Sequence, residues 1–390
     1  MKSSVTRALI RILFGFILLL FGISLSIAQG GRSDSVVTVD VGPGVKHMTI
    51  FREGPLTINV LVIDLADTTL RLESYRPNGL ATTSRQARQN DRPGHRVVAA
   101  VNADFFSKEG WPVNNQVENG EFVFGTQTQR SHLVVDNQGR IRIERVSFNG
   151  WIESRNGKIY PVISVNDVHR SNAIVLHTSF SDSSTDFPGA GSRFLLKRVD
   201  RAWAVGDTLR MVVSKGGPVD LTNIPLDEAA LWIGREPPAA ELGRTLNIGD
   251  TVIVCLGIVP AVTNVRTILG GIGRIIVDGR PVGDRINVTE KTNVAFLRAR
   301  HPRTFVGFDR DTTKFFIFTV DGRQPKSIGM SFEEMADFLI SIGAWNAVNF
   351  DGGGSTTMVV SGKIVNSPSD KTGERPVANT LQVVRISRVQ

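Results

Sequence analysis

Cysteine is almost missing from this chain: among 390 residues only Cys255 carries a thiol. That excludes an intramolecular disulfide and any zinc site built from paired cysteines, and Cys255, inside the apolar run Thr251 to Leu256, reads as a small buried hydrophobe. His-Glu-x-x-His, Gly-x-Ser-x-Gly and the Walker A lysine are also absent, which removes the common zinc, serine and nucleotide-loop chemistries. Gly271-x-Gly273 has neither a third glycine nor a following helix, so it does not make a dinucleotide site. The formal charge of +8 is not gathered into blocks, and aromatics do not interleave with the cations. Nucleic acid is therefore not an expected partner, whereas phosphorylated or anionic polymeric substrates suit the cationic excess. No cofactor and no metal ligand set is suggested.

Long apolar runs are scarce too. The stretch Ile12 to Ile27 is too short for a spanning helix, which needs about 20 residues. Lys2, Arg7 and Arg11 precede it and Ser26-Ile27-Ala28 closes it, the pattern of a secretory signal occupying residues 1–28, with the mature chain beginning near Gln29. An uncleaved anchor is the alternative, and membrane contact is expected only through this segment. Export without disulfides points to a bacterial periplasm or the extracellular space.

What is abundant is β pattern. Val36 to Val41, Leu56 to Asp64, Leu70 to Tyr75 and Arg96 to Asn102 alternate or run apolar with β-branched enrichment, as do later segments such as Thr304 to Phe308 and Lys314 to Val320. Asp278-Gly279 and Asp321-Gly322 between apolar runs read as hairpin turns. Two helices stand out: a short one over residues 82–90, and Ser331 to Gly343, where Ser331 and Glu334 form a capping box and Phe332, Met335, Leu339 and Ile342 share a face. The expected fold is α+β, mainly antiparallel sheets with few helices. Residues 180–250, richer in Ser, Asp, Pro and Gly, read as a variable insertion, with a long loop over Ser179 to Gly191.

Polar clusters recur at strand ends. Asn349-Phe-Asp351-Gly352-Gly353-Gly354-Ser355-Thr356 puts a carboxylate, three glycines and hydroxyls in one strand-to-strand loop, where bare amides could cradle an anion beside an acid, base, nucleophile or metal ligand; a tight turn with a capping Asp is the plain alternative. Asn102-Ala-Asp104 places two polar side chains on one side of an extended chain, or simply terminates the strand. Arg298, Arg300, His301, Arg303 and Thr304 lead into a strand, and arginine's planar fork suits phosphate. Gly270-Gly271-Ile272-Gly273 is a possible close-approach loop. Arg375 and Asn379 precede the last strand as ligands or anchors.

Taken in order, Asn102-x-Asp104-Phe-Phe, Gly-Gly followed by a strand and Asp278-Gly279, His301-Pro-Arg303-Thr304, Asn349-x-Asp351-Gly-Gly-Gly-Ser355 and Arg375-Pro-x-Ala-Asn379 resemble the phosphodiester glycosidase family. The resemblance runs from about residue 40 to 390 and implies one such domain over 29–390. It implies an exported hydrolase that cleaves the C1–O bond of a sugar-1-phosphodiester or a related cell-envelope glycan. Asp351 would act as nucleophile or base and Asp104 as the second carboxyl group, while Arg303 and the Gly352, Gly353 and Gly354 amides neutralise phosphate. Asn102, Thr304, Ser355 and Thr356 would orient the substrate, with His301, Arg375 and Asn379 also binding it. A non-catalytic binder of anionic glycans and a metal-assisted phosphodiesterase are the rival readings.

Overall fold

The computed structural model describes residues 34–387 except 169, 171, 182–190, 201 and 218–222; the expected signal segment and most of the loop Ser179 to Gly191 lie outside the described residues. The expectation of α+β is corrected to mainly β, with few helices. Among the described residues every strand pairing is antiparallel except Ser164–Val165 with Ile174–His177. The expected strands Leu56–Asp64 and Leu70–Tyr75 appear with those limits, and the capping box of the helix Phe332–Ser341 forms as Ser331 and Glu334 require.

Three large sheets carry the chain. An eight-stranded sheet runs in the order Ser35–Gly42, Val45–Arg52, Leu56–Asp64, Lys314–Val320, Arg303–Phe308, Asn346–Asn349, Arg274–Val277, Arg280–Pro281. A five-stranded sheet places His95–Asn102 between Met358–Val360 and Thr380–Ile386. The third sheet, of twelve strands, takes in most of residues 116–270. Within it Ser192–Arg198, Thr208–Gly216 and Glu228–Ile233 pair with one another and reach the long strand Ile141–Glu153 through Thr251–Val259.

Period-two alternation explains how the central strands bury both faces. Phe315 and Ile317 point into a core shared with Val101, Met358 and Leu381 of the five-stranded sheet, while Phe316 and Phe318 point to the opposite core under the helix Phe332–Ser341. Phe318 meets Phe338 of that helix edge to face at 6.1 Å, so truncating either aromatic would cost about 3–5 kcal/mol. This packing fixes the eight- and five-stranded sheets against each other, and with them the strand ends that carry the polar clusters.

Of the two Asp-Gly turns, Asp278-Gly279 closes the hairpin of Arg274–Val277 with Arg280–Pro281. Asp321-Gly322 does not close one. Lys314–Val320 already has neighbours on both sides, so the chain leaves it through an irregular loop toward the helix at Phe332.

Candidate active site

Two strands from different sheets end side by side. His95–Asn102 runs out at Ala103-Asp104, and Asn346–Asn349 runs out at Phe350-Asp351. The Asp351 amide donates to the Ala103 carbonyl at 2.8 Å, and Asn102 Nδ2 donates to the Asp351 carbonyl at 2.7 Å. Asn102 Oδ1 accepts from Thr304 Oγ1 at 2.8 Å and from the Thr357 amide at 3.1 Å. Asn379 ties in the last strand: its Oδ1 accepts from the Asp104 amide at 2.9 Å and its Nδ2 donates to Gln116 at 2.8 Å. Asn102, Thr304 and Asn379, expected as substrate contacts, are fully buried, and these bonds make them braces between strand ends.

The two carboxyl groups have unlike surroundings. Asp104 is enclosed, with Oδ1 and Oδ2 accepting from Asn114 Nδ2 at 2.6 Å and from the Asn114 amide at 3.0 Å. Burial pushes its carboxyl up to about 7, opposed by the Asn114 donors, the Phe105 amide and the charge of Arg130. Asp351 is half-buried and accepts from the Gly352 amide at 2.9 Å. Burial again drives its rise, to about 6, opposed by the Ser355 hydroxyl, the Gly352 amide, Arg375 and Arg323. Two carboxyls are thus held on adjoining segments, each with its pKa raised toward neutrality.

Two of the three glycine amides expected to cradle an anion are bonded within the protein. The Gly352 amide is bonded to Asp351, and the Gly353 amide donates to the Pro302 carbonyl at 2.8 Å, so these two do not face a ligand. The glycines instead let guanidinium groups lie on the backbone. A Cβ on Gly353, whose φ is +61°, would stand 3.1 Å from Arg323 Nη2, and one on Gly354 would collide with the Arg375 guanidinium and the Asp370 carboxylate. Arg375 is held by Asp370 at 2.8 and 3.0 Å. Arg323 is exposed, with Nη2 3.4 Å from His301 Nδ1; burial and the charges of Arg303 and Arg323 lower the His301 pKa, leaving a neutral ring at pH 7. Ser355 and Thr356 are buried in the same loop, and Asn349 Oδ1, Thr356 Oγ1 and Thr357 Oγ1 have no hydrogen-bond partner. Each such atom costs on the order of 1–3 kcal/mol, a cost that binding sites carry.

Arg303 departs most from expectation. It is buried, its Nε donates to the Met330 carbonyl at 3.3 Å, and its Nη2 donates to the Phe296 and Ala299 carbonyls at 2.8 Å each. The guanidinium lies over the Phe296 and Phe332 rings, and burial, with Arg323 adding, pulls its pKa down to about 9. Arg298 and Arg300 pair with Asp284 and Glu334. The cation beside Asp351 that sequence reasoning missed is Arg323, concealed in an Asp-Gly-Arg segment that reads as a turn. Asn114 was missed as well; a polar Asn114-Asn115-Gln116 run before an apolar strand was its signal. Gly270 is a close-approach position, since a Cβ there would lie 2.7 Å from Asp104 Oδ2.

The class defined by this geometry is a mainly β protein with one buried and one half-buried carboxyl group near a glycine loop on which two arginines lie. Residues 236–384 match the family model described as phosphodiester glycosidase, and the chain resembles that family. A stretch of 75 residues is 41% identical to the mouse N-acetylglucosamine-1-phosphodiester alpha-N-acetylglucosaminidase, covering 19% of this chain and 14% of that protein. A stretch of 109 residues is 37% identical to an SPbeta prophage-derived protein of Bacillus subtilis (strain 168), covering 28% of this chain and 16% of that one. The chain thus spans a small part of the curated relatives it matches. A solved structure from Burkholderia pseudomallei, described as an exported protein, superposes with a TM-score of 0.71 at 19% identity over 93% of this chain and 99% of that one, which shows a shared fold.

Proposed function

We propose that the protein is an exported phosphodiester glycosidase, cleaving the C1–O bond of a sugar-1-phosphodiester or a related cell-envelope glycan. The observation that supports this reading best is the juxtaposition at the strand ends: Asp351, bonded through its amide to Ala103 beside Asp104, stands next to Arg323 and Arg375. Asp351, with the lower pKa, acts as nucleophile or base toward C1, and Asp104, with the higher, as the acid. Water adds its oxygen to C1, and the C1–O electron pair leaves with the phosphate, giving free sugar and a phosphate monoester. A phosphate leaves with little protonation, so the largest contribution falls to the guanidiniums, which meet the charge that develops on its oxygens.

The role expected of Arg303 therefore passes to Arg323, with Arg375 beside it and neutral His301 orienting the Arg323 fork. Arg303 fixes the carbonyls beneath them. Ser355 and Thr356 present hydroxyls from the same loop. Hydrolysis of a glycosyl phosphodiester in heavy-oxygen water tests the reading. Label in the sugar is the expected outcome; label in the phosphate indicates P–O cleavage, and absence of turnover across a panel of glycosyl phosphodiesters indicates a binding protein, either of which overturns it. Export is tested by the N-terminal residue of the protein recovered from its host, expected near Gln29.

A further inference from the structure

Asp104 and Asn114 are the two stems of a single excursion of the chain. Residues 105–113 fold back on themselves, with the Ser107 amide donating to the Trp111 carbonyl at 2.8 Å, the Val113 amide donating to the Phe105 carbonyl at 3.0 Å, and Phe106 bridged to Pro112. The turn returns Asn114 onto the carboxyl of Asp104, where its side-chain and backbone N–H groups each take one oxygen, at 2.6 and 3.0 Å. Asn114 is fully buried, and its Oδ1 has no partner. Gly270 closes the other side so tightly that a Cβ would meet both Asp104 and Asn114.

We propose that Asn114 is the positioning residue for Asp104, holding each carboxyl oxygen with one N–H donor and so setting the proton affinity of that group. This rests on the reading of Asp104 as an acid in the reaction. Toward the carboxylate, Asn114 presents Nδ2 as a donor. The other charges around Asp104 are few. Arg130 stands at the start of the strand Arg130–Asp136, His132 on that strand is held neutral by burial, and Asp351 approaches from the glycine-loop side; Gly270 contributes only backbone.

The test is the titration of Asp104 in the full chain, followed by carbon NMR of labelled aspartate carboxyls and assigned with Asp104→Asn, in the wild type, Asn114→Ala and Asn114→Asp. Loss of the donor in Asn114→Ala is expected to raise the midpoint by at least about half a pH unit, about a threefold gain in proton affinity. Asn114→Asp, which keeps the shape but adds a like charge, is expected to raise it further and serves if the alanine variant fails to fold. The basic limb of a glycosyl phosphodiester pH profile should move by the same amount, with little change in KM. Midpoints within about 0.2 unit of the wild type in folded variants would leave Asn114 a packing residue and overturn the proposal. A shifted titration in a protein that turns over no glycosyl phosphodiester would instead keep the Asn114 assignment and remove the enzymatic reading.

Discussion

The Asp351 amide is bonded to Ala103, the residue before Asp104, yet the two aspartates occupy opposite kinds of surroundings. The Asp104 side is closed: a single asparagine grips both oxygens, glycine backbone seals the far wall, and Arg130 is the one cation that opposes the effect of burial. The Asp351 side is half open, and two guanidiniums rest on the loop that follows it. The contrast teaches that burial sets both carboxyls high, opposed on each side first by hydrogen-bond donors and then by cations, one at Asp104 and two at Asp351. A difference of that kind lets one carboxyl hold a proton while its neighbour is ionised.

The most severe way to break the contrast is Asp351→Asn, which removes the ionised member. Turnover of a glycosyl phosphodiester is expected to fall by at least about 1,000-fold with circular dichroism unchanged; near-normal kcat would take Asp351 out of the chemistry. Arg323→Ala comes next, with kcat/KM down by about 100-fold or more and the thermal midpoint nearly unmoved, because that side chain is exposed. Its counterpart Arg303→Met should do the reverse, lowering stability by about 2–4 kcal/mol through unpaired carbonyls while the folded fraction stays active.

Asp104→Asn should cost less turnover than Asp351→Asn, about 10- to 100-fold, since a phosphate leaving group needs little protonation. With Asp351 titrating near 6 and Asp104 near 7, wild-type activity rises as the first ionises and falls as the second loses its proton, giving a narrow bell between them whose basic limb the variant lacks. The sign for stability is opposite. A carboxyl raised in the folded state stabilises most below its unfolded pKa and loses that contribution as pH climbs toward about 7. Asp104→Asn should therefore be more stable than wild type at pH 8, by on the order of 1–3 kcal/mol, with the difference fading toward pH 4; equal denaturation midpoints at pH 8 would count against the shifted carboxyl. The smallest effect is expected at Arg300→Ala, whose partner is Glu334 at the surface: within about 0.5 kcal/mol in stability and twofold in activity.

Much of this was readable along the chain. The strand limits at Leu56–Asp64 and Leu70–Tyr75 follow from alternation and turn residues, and the helix Phe332–Ser341 from its cap. The polar clusters at strand ends were visible as residues, Asp104 and Asp351 among them. What was not readable is the partner of each. Arg303 carries the stronger local signal, a cation entering a strand among other cations, yet its strand lies between two cores and its guanidinium is enclosed by Phe296 and Phe332. Arg323 carries almost no signal, because Asp-Gly-Arg after an apolar run looks like a hairpin. The sheet order assigned Lys314–Val320 two other neighbours and freed the loop to bring Arg323 onto Gly353.

Sequence alone determined the β character, the caps and turns, and which side chains with chemistry stand at the ends of strands, since these depend on contacts between residues close along the chain. Only the tertiary structure decided that strands of two different sheets end together, which arginine is buried and which is exposed, and that Gly353 and Gly354 lie against guanidiniums. Those outcomes depend on the register and stacking of segments hundreds of residues apart, where burial and hydrogen-bond partners are assigned, and no local pattern encodes them.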